Sequence, residues 1–171
     1  LAFLVAKAQE KKNEYTYDLW ESDGLKHKKC ASLKTKSSFL FESEHTLLFA
    51  YEKTKAEEKK VKDEKYTIYY RYNIQKEKLE KAYEFPFPAT IVKVLKGQLL
   101  LKSMLTSEQH HLYLDQQELR KKFIQQDKDH QLYEDINEIP FYFNGSGHIA
   151  NKRQQLFLYD IETKTIKPLL D

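Results

Sequence analysis

The sequence has almost no cysteine and no long apolar run, and each absence excludes a class of protein. Cys30 is the only cysteine among 171 residues, so an internal disulfide cannot form. A chain without disulfides fits a reducing compartment, and we expect a cytoplasmic protein. No run reaches the roughly 18 apolar residues that cross a bilayer. The apolar stretch 1–8 has neither a basic leader nor a cleavage pattern. We therefore predict no signal peptide and no membrane partner.

An excess of one sign of charge is also missing. The chain has 29 Lys and Arg against 26 Asp and Glu, a formal net charge of +3, and the two signs are interleaved. Tyr69, Tyr70 and Tyr72 beside Arg71 could form a stacking platform for single-stranded nucleic acid. Strand alternation, however, would place Tyr70 and Tyr72 on one face and the other two on the opposite face, which packed sheets explain equally well. We predict no nucleic-acid partner.

Aromatic residues are abundant, and they favour strands. The chain contains 12 Tyr and 10 Phe beside only 4 Gly. Three segments repeat one pattern, in which an aromatic-rich strand ends near Asp or Asn, a short polar turn follows, and a second strand returns. Asx residues suit that corner because their side chains bond the turn backbone. The pattern predicts three hairpins, at residues 17–24 with 28–33, 66–73 with 79–83, and 156–160 with 166–170.

Further short apolar runs precede each hairpin. Two precede the second hairpin, at residues 38–41 and 46–50, and two precede the third, at 89–94 and 98–101. Only one, at residues 1–6, precedes the first. The repeating unit therefore has four strands, and its first copy lacks the opening strand. Because the sequence begins at Leu1 inside a predicted strand, we expect an excised piece of a longer chain.

The spacing of the corners predicts an insertion. Asp23 and Asn73 are 50 residues apart, whereas Asn73 and Asp160 are 87 apart, an excess of 37. We place the insertion at about residues 106–152. Apolar residues at helical spacing and a capping-box signal there predict a helix over about 115–127.

A second insertion, at residues 52–65, holds six Lys and five acidic residues. We expect it to be a solvated, mobile extension of a hairpin.

Four-stranded units repeating at 40–50 residues are typical of β-propeller blades. The sequence therefore predicts an all-β fold, an incomplete β-propeller of about three four-stranded antiparallel blades with a helical insertion in the last. The whole chain, 1–171, would be one partial propeller domain. Its divisions would be an incomplete first blade at 1–34, a second blade at 35–86 and a third at 87–171.

The candidate catalytic and metal-binding residues give little support for an active site or a metal site. Ser146 lies between Gly145 and Gly147 with His148 nearby, but a nucleophile elbow needs G-x-S-x-G before a helix, and a tight loop explains the run better. His110, His111 and His130 lack the spacing of zinc ligands and are better read as loop histidines. Cys30 is read as a small core residue. We predict no catalytic residue, no metal and no cofactor.

The segment at residues 135–147 is too aromatic for a solvated loop, and Pro140 prevents a helix from running through it. Two interpretations remain open. The aromatic residues either pin the insertion onto the edge of the blade or form a rim that faces a partner domain or a cleft. The candidate rim residues are Phe141, Tyr142, Phe143 and Asn144.

The run Glu-Ile-Pro-Phe-Tyr-Phe-Asn-Gly at 138–145, followed by Arg153 and Leu-Phe-Leu-Tyr-Asp at 156–160, resembles the amino-terminal propeller of bacterial prolyl-oligopeptidase-family serine peptidases. The acylaminoacyl-peptidase-like group is the most similar. The opening Leu-Ala-Phe-Leu-Val, with Asn-Glu-Tyr at 13–15 and Leu19-Trp20, is similar to the first blade of that family.

This resemblance implies that a C-terminal α/β-hydrolase domain of the same parent chain supplies the catalytic residues. The propeller would gate and shape the access of short or N-blocked peptides, and the fragment alone would hydrolyse nothing. Without its neighbours, the fragment would expose blade faces and self-associate. The alternative is a stand-alone propeller-type module that binds a ligand or protein without enzymatic activity.

Overall fold

Antiparallel strands make up most of the chain in a computed structural model that describes residues 1–106, 117–129, 142–143, 147–148 and 152–169. Contacts divide the chain into two units. The first comprises residues 1–54 and 68–84, and the second comprises 55–67 and 85–171. No helix among the described residues has both the length and the apolar character that a membrane span requires.

The first sheet has three strands in the order β1-β2-β3. These are β1 (Ala2–Gln9), β2 (Glu14–Ser22) and β3 (His27–Leu33), with a short 3-10 turn between β1 and β2. The strands predicted at residues 1–6 and in the first hairpin are confirmed, and each extends somewhat further than the apolar pattern.

The second sheet has four strands in the order β4-β5-β6-β7. Its elements in chain order are β4 (Phe39–Ser43), β5 (Thr46–Ala50), α1 (Lys55–Glu64), β6 (Thr67–Asn73) and β7 (Lys78–Phe85). All four predicted strands are present. Because every pairing for which a register is defined is antiparallel, the alternation of side chains carries through from strand to strand.

The third sheet also has four strands, in the order β13-β12-β9-β8. The elements from residue 90 onward are β8 (Thr90–Leu95), β9 (Gln98–Thr106), α2 (Gln117–Asp129), β10 (Tyr142–Phe143), β11 (Gly147–His148), β12 (Lys152–Asp160) and β13 (Ile166–Pro168). β9 and β12 pair along nine residues. The helix predicted at about 115–127 is confirmed as α2.

The expectation of a mobile hairpin extension at residues 52–65 is wrong, because α1 occupies this segment. Lys, Glu and Ala have high helix propensity, which offsets the lack of buried side chains in α1. Tyr66, just beyond the helix, lies between two cations: Lys60 Nζ and the Arg120 guanidinium carbon are each 4.1 Å from its ring centroid. Arg120 of α2 also donates a hydrogen bond to the carbonyl oxygen of Glu64. These contacts join α1 to α2.

The predicted role of Asx residues at the hairpin corners is confirmed in all three sheets. Asp23 Oδ1 accepts hydrogen bonds from the amides of Leu25 and Lys26, at 2.9 and 2.7 Å. Asn73 Oδ1 accepts one from the amide of Lys76, and Asp160 Oδ1 accepts one from the amide of Thr163, both at 2.8 Å. The side chain at each corner therefore closes its own turn.

Apolar side chains from the facing sides of the first two sheets form the core of the first unit. The fully buried members are Leu19, Ala31, Leu33, Leu47, Phe49 and Tyr72. The second unit has an aromatic core, in which the Phe85 ring lies 5.2 Å from Tyr159 and the Phe87 ring lies 5.1 Å from Phe157.

The tyrosines of β6 alternate as predicted. Tyr72 belongs to the core cluster, and the ring of Tyr70 makes an edge contact with Tyr51 at 5.4 Å. Arg71, on the opposite face, pairs with Glu42. Tyr69, Tyr70 and Tyr72 are all buried, so these rings offer no open surface on which a base could stack.

Candidate functional site

The predicted rim at Phe141, Tyr142, Phe143 and Asn144 is described only through its backbone. β10 and β11 form a two-residue antiparallel ladder, with Tyr142 opposite His148 and Phe143 opposite Gly147. Phe141 and Asn144 lie outside the described residues, and so does Ser146. The assignment of these residues to a rim stays a prediction.

Some of the candidates for metal or thiol chemistry also lie outside the described residues. His110, His111 and His130 lie outside the described residues. Within the described ranges, no group of three or more His, Cys, Asp or Glu could hold a metal ion. Cys30 is half-buried against the core of the first unit, and burial raises the pKa of its thiol to about 12. The interpretation of Cys30 as a packing residue is confirmed.

A polar cluster lies on the face of the first sheet that points away from the second sheet. The register pairs Phe3 with Trp20 and Val5 with Asp18 on this side, while Leu4 and Leu19 pair on the core side. We call this side the open face and define it by Phe3, Val5, Asp18, Trp20 and Lys29. It is the candidate functional site of the described chain.

Asp18 is the centre of the cluster and is only 4% exposed. Lys7 Nζ lies 2.6 Å from its Oδ2 atom, and Lys29 Nζ lies 3.1 Å from Oδ1. The Ser32 hydroxyl donates a hydrogen bond of 2.7 Å to Oδ1. The bonds from Lys7 and Ser32 and the charge of Lys29 outweigh burial and lower the pKa of Asp18 to about 2. The carboxylate is therefore ionised at neutral pH.

A β-bulge brings Lys29 into this cluster. Leu19 pairs with Ala31, but the next residue, Trp20, pairs with Lys29, so Cys30 has no opposite residue. In an unbroken register, Lys29 would face Glu21 on the core side of the sheet. The extra residue places Lys29 on the same face of the sheet as Asp18. Bulges commonly redirect a side chain in this way.

Apolar groups surround the cluster. Val5 is 38% exposed, and the ring of Phe3 makes an edge contact with His27 at a centroid distance of 6.2 Å. The indole Nε1 of Trp20 is buried and has no hydrogen-bond acceptor within the described chain. A face with a compensated charge at its centre and an apolar margin can bind the surface of a partner.

The second sheet carries another polar network, on the face away from the core of the first unit. Arg71 binds Glu42 through two parallel bonds, Nε to Oε2 at 2.5 Å and Nη2 to Oε1 at 2.6 Å. The Tyr83 hydroxyl lies 3.0 Å from both Glu42 Oε1 and Arg71 Nη2. Burial, with the negative charge of Glu42, raises the pKa of Tyr83 to about 12. The network links β4, β6 and β7 and has a structural role.

The sequence pattern did not predict either network. Asp18 was seen only as a member of an aromatic strand, and Arg71 was considered only as part of a stacking platform for nucleic acid. A weak signal exists in each strand, because a single charged residue interrupts an apolar run. Finding the partners Lys7, Lys29 and Glu42 requires the strand register, which the sequence alone does not determine.

No protein-family model matches the sequence, and no curated protein matches it. Among solved structures, the fold is similar to Pyrococcus horikoshii acylaminoacyl peptidase, with a TM-score of 0.50 and 14% identity over 99% of this chain. It is also similar to the apo form of the isopeptidase AtxE2, with a TM-score of 0.51 and 10% identity over 98% of this chain.

The match covers only part of each neighbour. The chain corresponds to 24% of the acylaminoacyl peptidase chain and to 26% of the isopeptidase chain. At these identities the likeness concerns the fold alone. The described residues thus share the fold of about a quarter of two longer peptidase chains.

Proposed function

We propose that the chain is an incomplete β-propeller and the non-catalytic propeller part of a serine peptidase. The observation that carries the proposal is the fold match over nearly the whole chain to a quarter of an acylaminoacyl peptidase. The three sheets, of three, four and four strands, support a division into blades at 1–34, 35–86 and 87–171. The first sheet has one strand fewer than the other two, which fits an opening blade that lacks its first strand.

In this role the chain gates and shapes the access of short or N-blocked peptides to an α/β-hydrolase domain of the same parent protein. The hydrolase domain supplies the catalytic serine, aspartate and histidine by an acyl-enzyme route, and the chain needs no cofactor. Phe141, Tyr142, Phe143 and Asn144 form a rim toward the cleft or toward that domain. The parent protein is cytoplasmic.

Two measurements test the proposal. Purified fragment should not hydrolyse a chromogenic N-acetylated peptide, and turnover that a serine-directed inhibitor blocks would contradict a non-catalytic role. The gene sequence after Asp171 should encode further four-stranded units and then a G-x-S-x-G motif. A stop codon soon after closing blades, without that motif, would refute the peptidase assignment.

A second function, a stand-alone binding module without enzymatic activity, is favoured by the open face. This surface combines an exposed Val5 with the partly buried rings of Phe3 and Trp20. The downstream sequence separates the two functions, since a binding module needs only closing blades. Under either function, the described residues act by contact and not by covalent chemistry.

A further inference from the structure

Tyr66 lies between the end of α1 and the start of β6, and its backbone is held from the side of the strand. The hydroxyl of the next residue, Thr67, donates a hydrogen bond of 3.0 Å to the Phe87 carbonyl. The same hydroxyl accepts one of 2.9 Å from the amide of Ala89. Because Phe87 and Ala89 are buried, these bonds anchor the chain beside Tyr66 to the core of the second unit.

The ring of Tyr66 contacts one cation from each helix. Lys60 of α1 places its Nζ atom 4.1 Å from the ring centroid, and Arg120 of α2 places its guanidinium carbon at the same distance. The face of an aromatic ring attracts cations because it carries partial negative charge. One anchored ring therefore holds a side chain of α1 and a side chain of α2.

Arg120 also completes the end of α1. The last carbonyl groups of a helix have no partner within the helix. α1 ends at Glu64, and Lys65 follows with a φ of 56°, the left-handed conformation that often ends a helix. Arg120 donates a hydrogen bond to the Glu64 carbonyl, where the helix dipole favours a positive charge. A residue of α2 thus caps α1.

α1 is too short to be stable by its own propensity. It has ten residues, and none of them is buried. Isolated helices shorter than about 12–15 residues are marginal in water even when their residues favour the helix. Tertiary contacts must therefore stabilise α1, and Arg120 and Tyr66 supply such contacts at its C-terminal end.

We propose that Arg120 and Tyr66 form a latch that couples α1 to α2, so that the two helices open and close as one unit. When the guanidinium leaves, α1 loses its cap, and when α1 unwinds, Arg120 loses the Glu64 carbonyl. By linkage, a partner that stabilises one helix stabilises the other by the same factor. The latch joins residues 56 positions apart in the chain and does not depend on the peptidase assignment.

Hydrogen exchange of individual amides in the isotopically labelled chain tests the latch. Arg120→Gln should make the amides of residues 60–64 exchange about ten- to a hundredfold faster, the equivalent of one charged hydrogen bond and one ring contact. Lys122→Gln is the matched control, because Lys122 is exposed on the same helix and the change removes the same charge. It should leave these amides unchanged. The amides of β6 report whether each variant is folded.

A second pair of variants tests the ring. Tyr66→Phe keeps the aromatic face and should exchange within about twofold of the unchanged chain. Tyr66→Leu keeps an apolar side chain without that face and should accelerate exchange in α1. Because Tyr66 and Arg120 act through a shared contact, the double variant Tyr66→Leu/Arg120→Gln should show less than the product of the two single effects.

The converse change separates coupling from a local effect of Arg120. Lys59 is exposed on α1, and Lys59→Gly lowers helix propensity there, whereas Lys59→Ala removes the same charge and keeps the propensity high. In Lys59→Gly the amides of Phe123 and Ile124 in α2 should exchange about three- to fivefold faster. In Lys59→Ala they should not change.

Faster exchange of α1 in Arg120→Gln and of α2 in Lys59→Gly, with β6 unchanged, would establish the latch. If Arg120→Gln unfolds β6, Arg120→Lys takes its place, since it keeps the charge without the planar guanidinium and should give a smaller effect of the same sign. Three results would overturn the latch: equal exchange of α1 in Arg120→Gln and Lys122→Gln, unchanged exchange of α2 in Lys59→Gly, or exchange of α1 at the unfolded rate in the unchanged chain.

Discussion

Asp18 lies in the middle strand of a three-stranded sheet, and cations from both neighbouring strands approach its carboxylate. Lys7 comes from β1 and Lys29 from β3, while Ser32 donates the hydrogen bond that orients one oxygen. Burial of a carboxylate is costly unless charge and hydrogen bonds compensate it. The cluster meets this requirement, and the lysine side chains remain about half exposed to solvent.

We expect Asp18 to make stability depend on acidity. Its folded-state pKa of about 2 lies below the ordinary value of 3.8, so its contribution is complete above pH 4 and is lost as the pH falls toward 2. Because the lysines are solvated, we expect Asp18→Asn to lower the free energy of unfolding by about 1–2 kcal/mol at pH 6. Urea unfolding at pH 6 and pH 2 measures the difference, which should shrink at the lower pH.

Glu118→Gln provides the control, because Glu118 pairs with Lys121 at the exposed surface of α2. It should change the free energy of unfolding by less than about 0.5 kcal/mol. Equal stability of Asp18→Asn and the unchanged chain at pH 6 would show that the cluster contributes nothing.

The structural role of a single residue could be predicted from the sequence where that role depends only on neighbouring residues. The three Asx corners follow from a side chain that bonds its own turn, which the sequence shows directly. The role of Asp18 depends on residues 11 positions before it and after it, brought together by two ladders and one bulge. No local pattern carries that information, so the centre of the open face could not be recognised from the sequence.

The hairpin corner between β12 and β13 most directly tests whether the repeated Asx corner stabilises its hairpin. Asp160 accepts hydrogen bonds from the amide and the hydroxyl of Thr163. We expect Asp160→Ala to lower the free energy of unfolding by about 1 kcal/mol, because both bonds are lost. Asp160→Asn keeps the acceptor, as Asn73 does at the corner of the second sheet, and should cost less than half as much. Thermal unfolding of the two variants compares them, and equal losses would mean that the corner bonds do not matter.

The two helices show where pattern reading succeeds and fails. α2 has apolar residues at helical spacing and a capping signal, so the sequence predicted it. α1 has almost no apolar residue, and its charge pattern fits a solvated segment equally well. The contacts of Lys60 and Arg120 with Tyr66 join the end of α1 to a helix more than 50 residues later. That support comes from tertiary contacts, which outweigh the local pattern.

At the scale of the whole molecule, the open face gives the chain a surface for association. We expect the weight-average mass in light scattering to rise with concentration, because Val5 and its apolar neighbours are partly exposed. Val5→Lys should raise the dissociation constant at least about tenfold, since it brings a charge into an apolar contact. Leu25→Lys is the control, because Leu25 is 92% exposed in a turn outside this face. A constant monomer mass at millimolar concentration would contradict the expectation.

The strands of the three larger sheets were predictable, because alternation and turns are local signals that recur in each of them, whereas the short β10–β11 ladder was not predicted. The distribution of residues between the two units could not be predicted from the sequence. β6 and β7 each contribute residues to both units, so the boundary of a unit does not coincide with the boundary of a hairpin. Packing between sheets determines that boundary, and packing depends on pairs far apart in the chain.

Trp20 is the only tryptophan of the chain, and its side chain belongs to the open face. The molecule therefore contains a single tryptophan, which can be excited selectively beside its 12 tyrosines, at the surface on which the association prediction rests. A partner that dehydrates the exposed part of the indole is expected to shift its emission to shorter wavelength. Occupancy of this face can thus be followed optically in the native chain, without a label.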